Sequence, residues 1–166
     1  NALLQAHQQL ADENYDQASS SAKQASALAL ESRQASAPLY AAALKAEAKT
    51  ALDAADEAYA SELARDDFQA AQKLFSDGDE LLKKADGSKS LDDYGQSIRK
   101  FTSSKEASER AKNLALSQKG DLLSSLSGAR TNLKLAEEYG ADKSAPGQYA
   151  GARAELEAAR SDIEAG

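Results

Sequence analysis

Apolar residues recur along this chain at intervals of three and four, the spacing that gathers them on one face of an α-helix. Leu3, Ala6 and Leu10 open the first stripe, and after a slip near Asn14 it resumes with Tyr15, Ala18, Ala22, Ala25 and Ala29. Tyr94, Ile98 and Phe101 form a second stripe, and Leu122, Leu126, Ala129, Leu133 and Ala136 a third. Each stripe leaves a polar back, so each helix needs neighbours on one side and water on the other. Gly128 falls within the third stripe, where it costs about 1 kcal/mol of helix propensity relative to Ala. Its position predicts a close helix crossing.

Helix starts are marked by punctuation. Ser36 stands ahead of Pro38 and Tyr40, and Ser144 ahead of Pro146 and Tyr149. Pro is tolerated in a first turn because its missing N–H has no intrahelical partner there. Ser90 opens "SLDDY", where Asp93 three positions on resembles the partner in a capping box. Ser36, Ser90 and Ser144 stand at equal intervals, and Tyr40, Tyr94 and Tyr149 keep the same interval to within one position.

A second series falls between them. Asp66, Asp67 and Phe68 in "ARDDFQAA" precede Gly120, Asp121 and Leu122 in "QKGDLLSS" by that same interval. Asp12 precedes Asp66 by it as well, and Tyr15 precedes Phe68 by one position less. Acidic residues suit a helix N-terminus because they meet the positive end of its dipole. Gly87 and Gly140 repeat at nearly the same distance and are placed as left-handed C-cap glycines would be.

Together these marks predict tandem antiparallel helical hairpins with a unit of about 54 residues: a helix of roughly 28, a tight turn, a helix of roughly 20 and a Gly/Ser loop. Residues 1–166 then form one helical-repeat domain, with a partial unit 1–35, full units 36–89 and 90–143, and a partial unit 144–166. With its start at Asn1 rather than Met and its last helix running out at Gly166, the chain is expected to be a piece of a longer protein.

Composition supports the class. Val is absent, and there are only two Ile and three Thr, so the β-branched residues that furnish a pleated sheet are missing. Ala, Leu, Glu, Lys, Gln and Arg, which lose least entropy in a helix, dominate instead. The fold class is all-α, α-solenoid-like or an elongated bundle of about six or seven helices. Much of the apolar content is Ala, which buries little area but lets helix axes approach closely.

The net charge of −7 opposes binding to nucleic acid or to an anionic membrane surface. No apolar run reaches the ~20 residues needed to cross a bilayer. Without Cys there is neither a disulfide framework nor a thiolate metal site.

Catalytic constellations are missing, so no catalytic, cofactor-binding or metal residue is assigned. His7 is the single histidine, which excludes paired-His zinc motifs and leaves no triad signature around any serine. The acidic pairs Asp66-Asp67 and Asp92-Asp93 fall at predicted helix starts, where the dipole accounts for them. "SDGDE", Ser76 to Glu80, lacks the ligand pattern of a calcium loop.

Tyr is enriched in recognition sites, so the six tyrosines are the remaining candidates. Tyr15, Tyr40, Tyr94 and Tyr149 follow predicted helix starts and are expected to wedge helices together. Tyr59 and Tyr139 escape that pattern and are the candidate partner contacts.

"LARDDFQAAQKLFSDGDELLKKA" and "ENYDQASSSAKQASALA" resemble the second half of a tetratricopeptide-type hairpin, although the unit here is longer than in that family. "APLYAAA", "DDFQAA" and "DDYGQS" more closely resemble the Ala-rich helical regions of bacterial cell-envelope lipoproteins. That resemblance implies a periplasmic or outer-membrane-anchored spacer, adaptor or assembly partner, with any lipid anchor outside these residues.

The expected function is therefore a non-enzymatic helical scaffold binding another protein. A small-molecule or lipid carrier is the alternative, to be favoured by a connected apolar cavity above ~300 Å³. A carboxylate-dependent cell-wall enzyme is the third reading.

Overall fold

A serine can cap the helix that follows it or bond back into the helix it belongs to, and the chain uses both arrangements. A computed structural model describes residues 2–165. The described residues form seven helices and no strand: α1 (Ala2–Ala11), α2 (Tyr15–Asp56), α3 (Ala60–Leu63), α4 (Arg65–Ser88), α5 (Leu91–Glu138), α6 (Ala141–Ser144) and α7 (Pro146–Ala165). Asn1 and Gly166, the residues on which the reading as an excised piece rests, lie outside the described residues.

Ser90 is a true cap. At the start of α5 its Oγ accepts the Asp93 N–H at 3.2 Å, satisfying one of the donors that a first turn leaves free. The capping box is completed differently from the expectation, because the Asp93 carboxylate turns away from Ser90. It accepts from Lys84 at 2.9 Å and Ser88 at 3.4 Å, and the Ser90 N–H goes to Ser88 Oγ.

Ser36 does the opposite. Its Oγ donates back to the Arg33 carbonyl, the behaviour of a serine inside a helix, and Pro38 lies within α2. The predicted start at residue 36 is thus corrected. The residues before it include no glycine or left-handed residue back to the start of α2, and the proline removes only one bond from the ladder. The predicted break at Gly120 and Asp121 is corrected likewise, since both lie inside α5.

Gly87 is also helical, and the left-handed residue after α4 is Lys89, at φ 56°. Gly140, at φ 77°, is left-handed as expected. Ser144 bonds back to the Gly140 carbonyl at 2.9 Å, and α7 starts at Pro146, so the proline marks that start without Ser144 capping it.

The helix limits therefore do not follow the unit that the punctuation predicts. What does recur is one backbone turn. Tyr59 and Gly140 are left-handed, a four-residue helix follows each, and Ala64 and Ala145 then break the chain with φ −132° and −143°. The next helix starts at once, with the Phe68 and Tyr149 N–H groups bonding to the Ala64 and Ala145 carbonyls at 3.0 and 3.1 Å. Residue 59 corresponds to 140 and 64 to 145, at one common offset.

The chain divides into two compact units, each made of separate stretches: 1–49 with 73–104, and 50–72 with 105–166. In the first, Ala41, Leu44 and Ala48 of α2, Leu82 and Ala85 of α4, and Tyr94 and Phe101 of α5 form one core. Phe75 tilts against Phe101 with ring centroids 5.5 Å apart.

The close crossing predicted at Gly128 occurs instead at Gly78. A Cβ there would lie 2.9 Å from the Phe101 ring, whereas one at Gly128 would meet nothing within 4 Å. Ser97, fully buried, donates to the Gly78 carbonyl at 2.9 Å, so the α4–α5 contact brings backbone and side chain together. "SDGDE" is helical: Asp77 pairs with Lys100 at 2.9 Å, and Asp79 pairs with Lys45 and with Lys83. Those two ammonium groups hold the Asp79 carboxyl below its usual value, chiefly through the hydrogen bonds they donate to its charged form.

In the second unit the buried apolar residues are Leu52 and Ala55 of α2, Ala58, Ala60 and Ala64 around the turn, Phe68 and Ala71 of α4, and Ala107, Ala111 and Ala115 of α5. Small side chains let these helices lie close at the expense of buried area. No described helix is long and apolar enough to cross a membrane.

Candidate functional site

Beyond Ala115 the burial stops. Between residues 116 and 163 no side chain is fully buried, although the apolar stripe continues through Leu122, Leu126, Ala129, Leu133 and Ala136. That stretch of α5 packs against α7, which presents Ala152, Leu156, Ala159 and Ile163, also at the spacings of four and three that share a helix face. At the far end the Tyr149 hydroxyl donates to Glu137 at 3.1 Å and ties the first turn of α7 to the last of α5. Burial, and then this hydrogen bond to a carboxylate, push the Tyr149 phenol above its ordinary value, since both disfavour a second negative charge.

Two helices cannot enclose a stripe of this width, and an open groove of about 620 Å³ runs along the pair. Its lining is apolar except for Ser125, Asn132 and Glu155. At the Leu122 end the groove continues, through the shared residues Leu122, Ala159 and Ile163, into a hollow of about 320 Å³ walled by Tyr59, Glu62, Leu63, Lys119 and Asp162. Tyr59 holds the left-handed conformation at φ 63°. That conformation costs a non-glycine residue roughly 1–2 kcal/mol. The Lys119 ammonium sits 4.0 Å from the centre of its ring, a cation–π contact.

The two candidate tyrosines separate here. Tyr59 is half-buried and lines the hollow, while Tyr139 is 88% exposed just after α5. The expected wedges separate too. Tyr94 is only 3% exposed and Tyr149 is half-buried, but Tyr15 and Tyr40 are 64% and 57% exposed. Tyr40 follows no helix start, which removes the reason to expect it inside.

His7 is exposed and lines a smaller groove between α1 and α2 with Leu3, Leu10, Tyr15 and Ala18. The α7 wall and Lys119 were missed by sequence reasoning. The spacing of 152, 156, 159 and 163 was a usable signal for the wall, whereas nothing local announces that Lys119 meets the distant Tyr59. No protein-family model, curated protein or solved structure matches the chain.

Proposed function

We propose that the protein is a non-enzymatic helical scaffold that docks a protein partner along the α5–α7 groove. The observation that carries this reading is the change of cover along one stripe of α5. Ala107, Ala111 and Ala115 are buried, whereas no residue of the stripe from Leu122 onward is, and from Leu126 to Ala136 it faces α7 across an open groove. A partner helix laid there would bury the leucines that the fold leaves half-exposed, the helix-in-groove mode of recognition. The likeness of "APLYAAA" and "DDFQAA" to envelope lipoproteins supports a periplasmic or outer-membrane-anchored setting.

The test is site-specific photo-crosslinking in envelope extract from Leu133, in the groove, and from Leu39, 74% exposed on α2. A protein captured from Leu133 and not from Leu39, and binding again as a purified pair, is the expected outcome. Equal capture from both positions would sink the reading.

A carrier of small apolar molecules is the second reading, favoured by the groove of about 620 Å³. That volume exceeds the ~300 Å³ at which ligand pockets begin. Saturable uptake of a fluorescent fatty acid, blocked by Ala129→Trp, would favour it over protein docking.

A further inference from the structure

We infer that the occupant of the α5–α7 groove is an amphipathic helix whose polar flank carries Lys or Arg. This rests on the docking role above and specifies the partner's chemistry. The charges around the apolar floor are unevenly distributed. Glu155 lines the groove, and Glu62 and Asp162 line the hollow at its end. Among the described lining residues Lys119 is the one basic group, and it is laid over Tyr59. Three carboxylates, of which Glu62 accepts a hydrogen bond from the Ser61 hydroxyl, thus stand against one ammonium.

The opposite side of the same helix pair differs in both respects. It offers a cleft of only about 160 Å³, and Arg130 and Arg160 outnumber Glu157 there. The apolar and acidic characters fall on one side together, which selects a partner that is apolar and basic.

An apolar stripe open between two helices is the surface that an amphipathic helix covers in helix-in-groove recognition. The floor runs along α5 from Leu122 to Ala136. At a rise of about 1.5 Å per residue that is roughly 21 Å, about four turns of a partner laid alongside. A second copy of this chain is disfavoured as the occupant because each copy carries a net charge of −7, and like charges repel. An anionic lipid surface is disfavoured by the same carboxylates.

The experiment uses the 166-residue protein and three synthetic helices, read by fluorescence anisotropy. One carries Leu and Ala on one face and Lys on the other, one has Glu in place of Lys, and one is the Lys peptide scrambled to remove its apolar face. The Lys helix is expected to bind about tenfold tighter than the Glu helix, and the difference should shrink at high salt. The scrambled helix should bind no better than the Glu helix. The double substitution Glu155→Lys with Asp162→Lys, at two exposed positions, should reverse the preference between Lys and Glu helices while circular dichroism shows helix content unchanged.

Equal binding of the Lys and Glu helices, with the Leu133 crosslink retained, overturns the basic partner and leaves the docking role standing. Absence of binding, or binding indifferent to the charge reversal, also overturns it. So does self-association that protects the groove from the peptides, which would make the occupant a second copy.

Discussion

The core around Phe101 and the pair formed by α5 and α7 are built from the same kinds of residue, yet only the first is closed. Around Phe101 three helices converge, an aromatic side chain fills the space beside a glycine, and Ser97 satisfies its hydroxyl on the backbone of the facing helix. Ion pairs of Lys45, Lys83 and Lys100 with Asp79 and Asp77 accompany that contact. Along α5 and α7 the apolar stripe is rich in leucine, but two helices leave it open. Closure depends on how many neighbours a stripe receives, which hydrophobicity alone does not reveal.

The comparison is broken most directly by truncation. Phe101 is fully buried, whereas Leu133 is half-buried in the groove. Phe101→Ala is expected to destabilise by about 3–5 kcal/mol, and Leu133→Ala by about 1 kcal/mol. Urea unfolding of both variants measures this. Similar losses would mean that the α5–α7 pair is as closed as the Phe101 core.

Glycine substitution sharpens the contrast with opposite signs. Gly78→Ala gains helix propensity but drives a methyl against the Phe101 ring and the Lys100 stem. The net loss should be about 1–3 kcal/mol, the usual cost of overpacking. Gly128→Ala meets nothing and should gain about 0.5–1 kcal/mol. Thermal midpoints that move the same way would remove Gly78 as the mark of the close crossing.

The turns provide a smaller test, since Lys89 and Gly140 are both left-handed. Lys89→Gly should stabilise by about 1 kcal/mol by relieving a strained residue, and Gly140→Ala should destabilise by a similar amount. Chemical unfolding of the two variants would show it.

The least effect is expected from pH. The Asp79 carboxyl is held below its ordinary value of 3.8 in the folded chain. It therefore contributes stability that is present above that value and lost as pH falls through the lower folded one. Asp79→Asn should flatten the acid limb of a stability–pH profile below about pH 4 and leave the slope near neutrality unchanged. An unchanged acid limb would show that the ion pairs around Asp79 add nothing measurable at the closed contact.

Particular residues show how much of the fold and the groove could be foreseen. The start at Ser90, the first-turn acids Asp66 and Asp67, the left-handed Gly140 and the helix opening at Pro146 are local features, and each lies where local chemistry put it. Ser36-Ala37-Pro38 misled because the same three residues suit a first turn or the middle of a strong helix. The deciding information, a helix already under way and a core contact beginning at Ala41, is not contained in the motif. Gly128 misled for a related reason, since a glycine on an apolar face marks a crossing only where another helix arrives. The α5 side of the groove, Leu122 to Ala136, was visible as a stripe, and its openness was not.

The sequence by itself therefore determined the helical class, the faces and several of the ends, because propensity, periodicity and capping act within a few residues of the chain. Only the tertiary structure decided which faces are covered, which glycine meets a ring and that Lys119 lies over Tyr59, because each depends on residues distant in sequence arriving at one place.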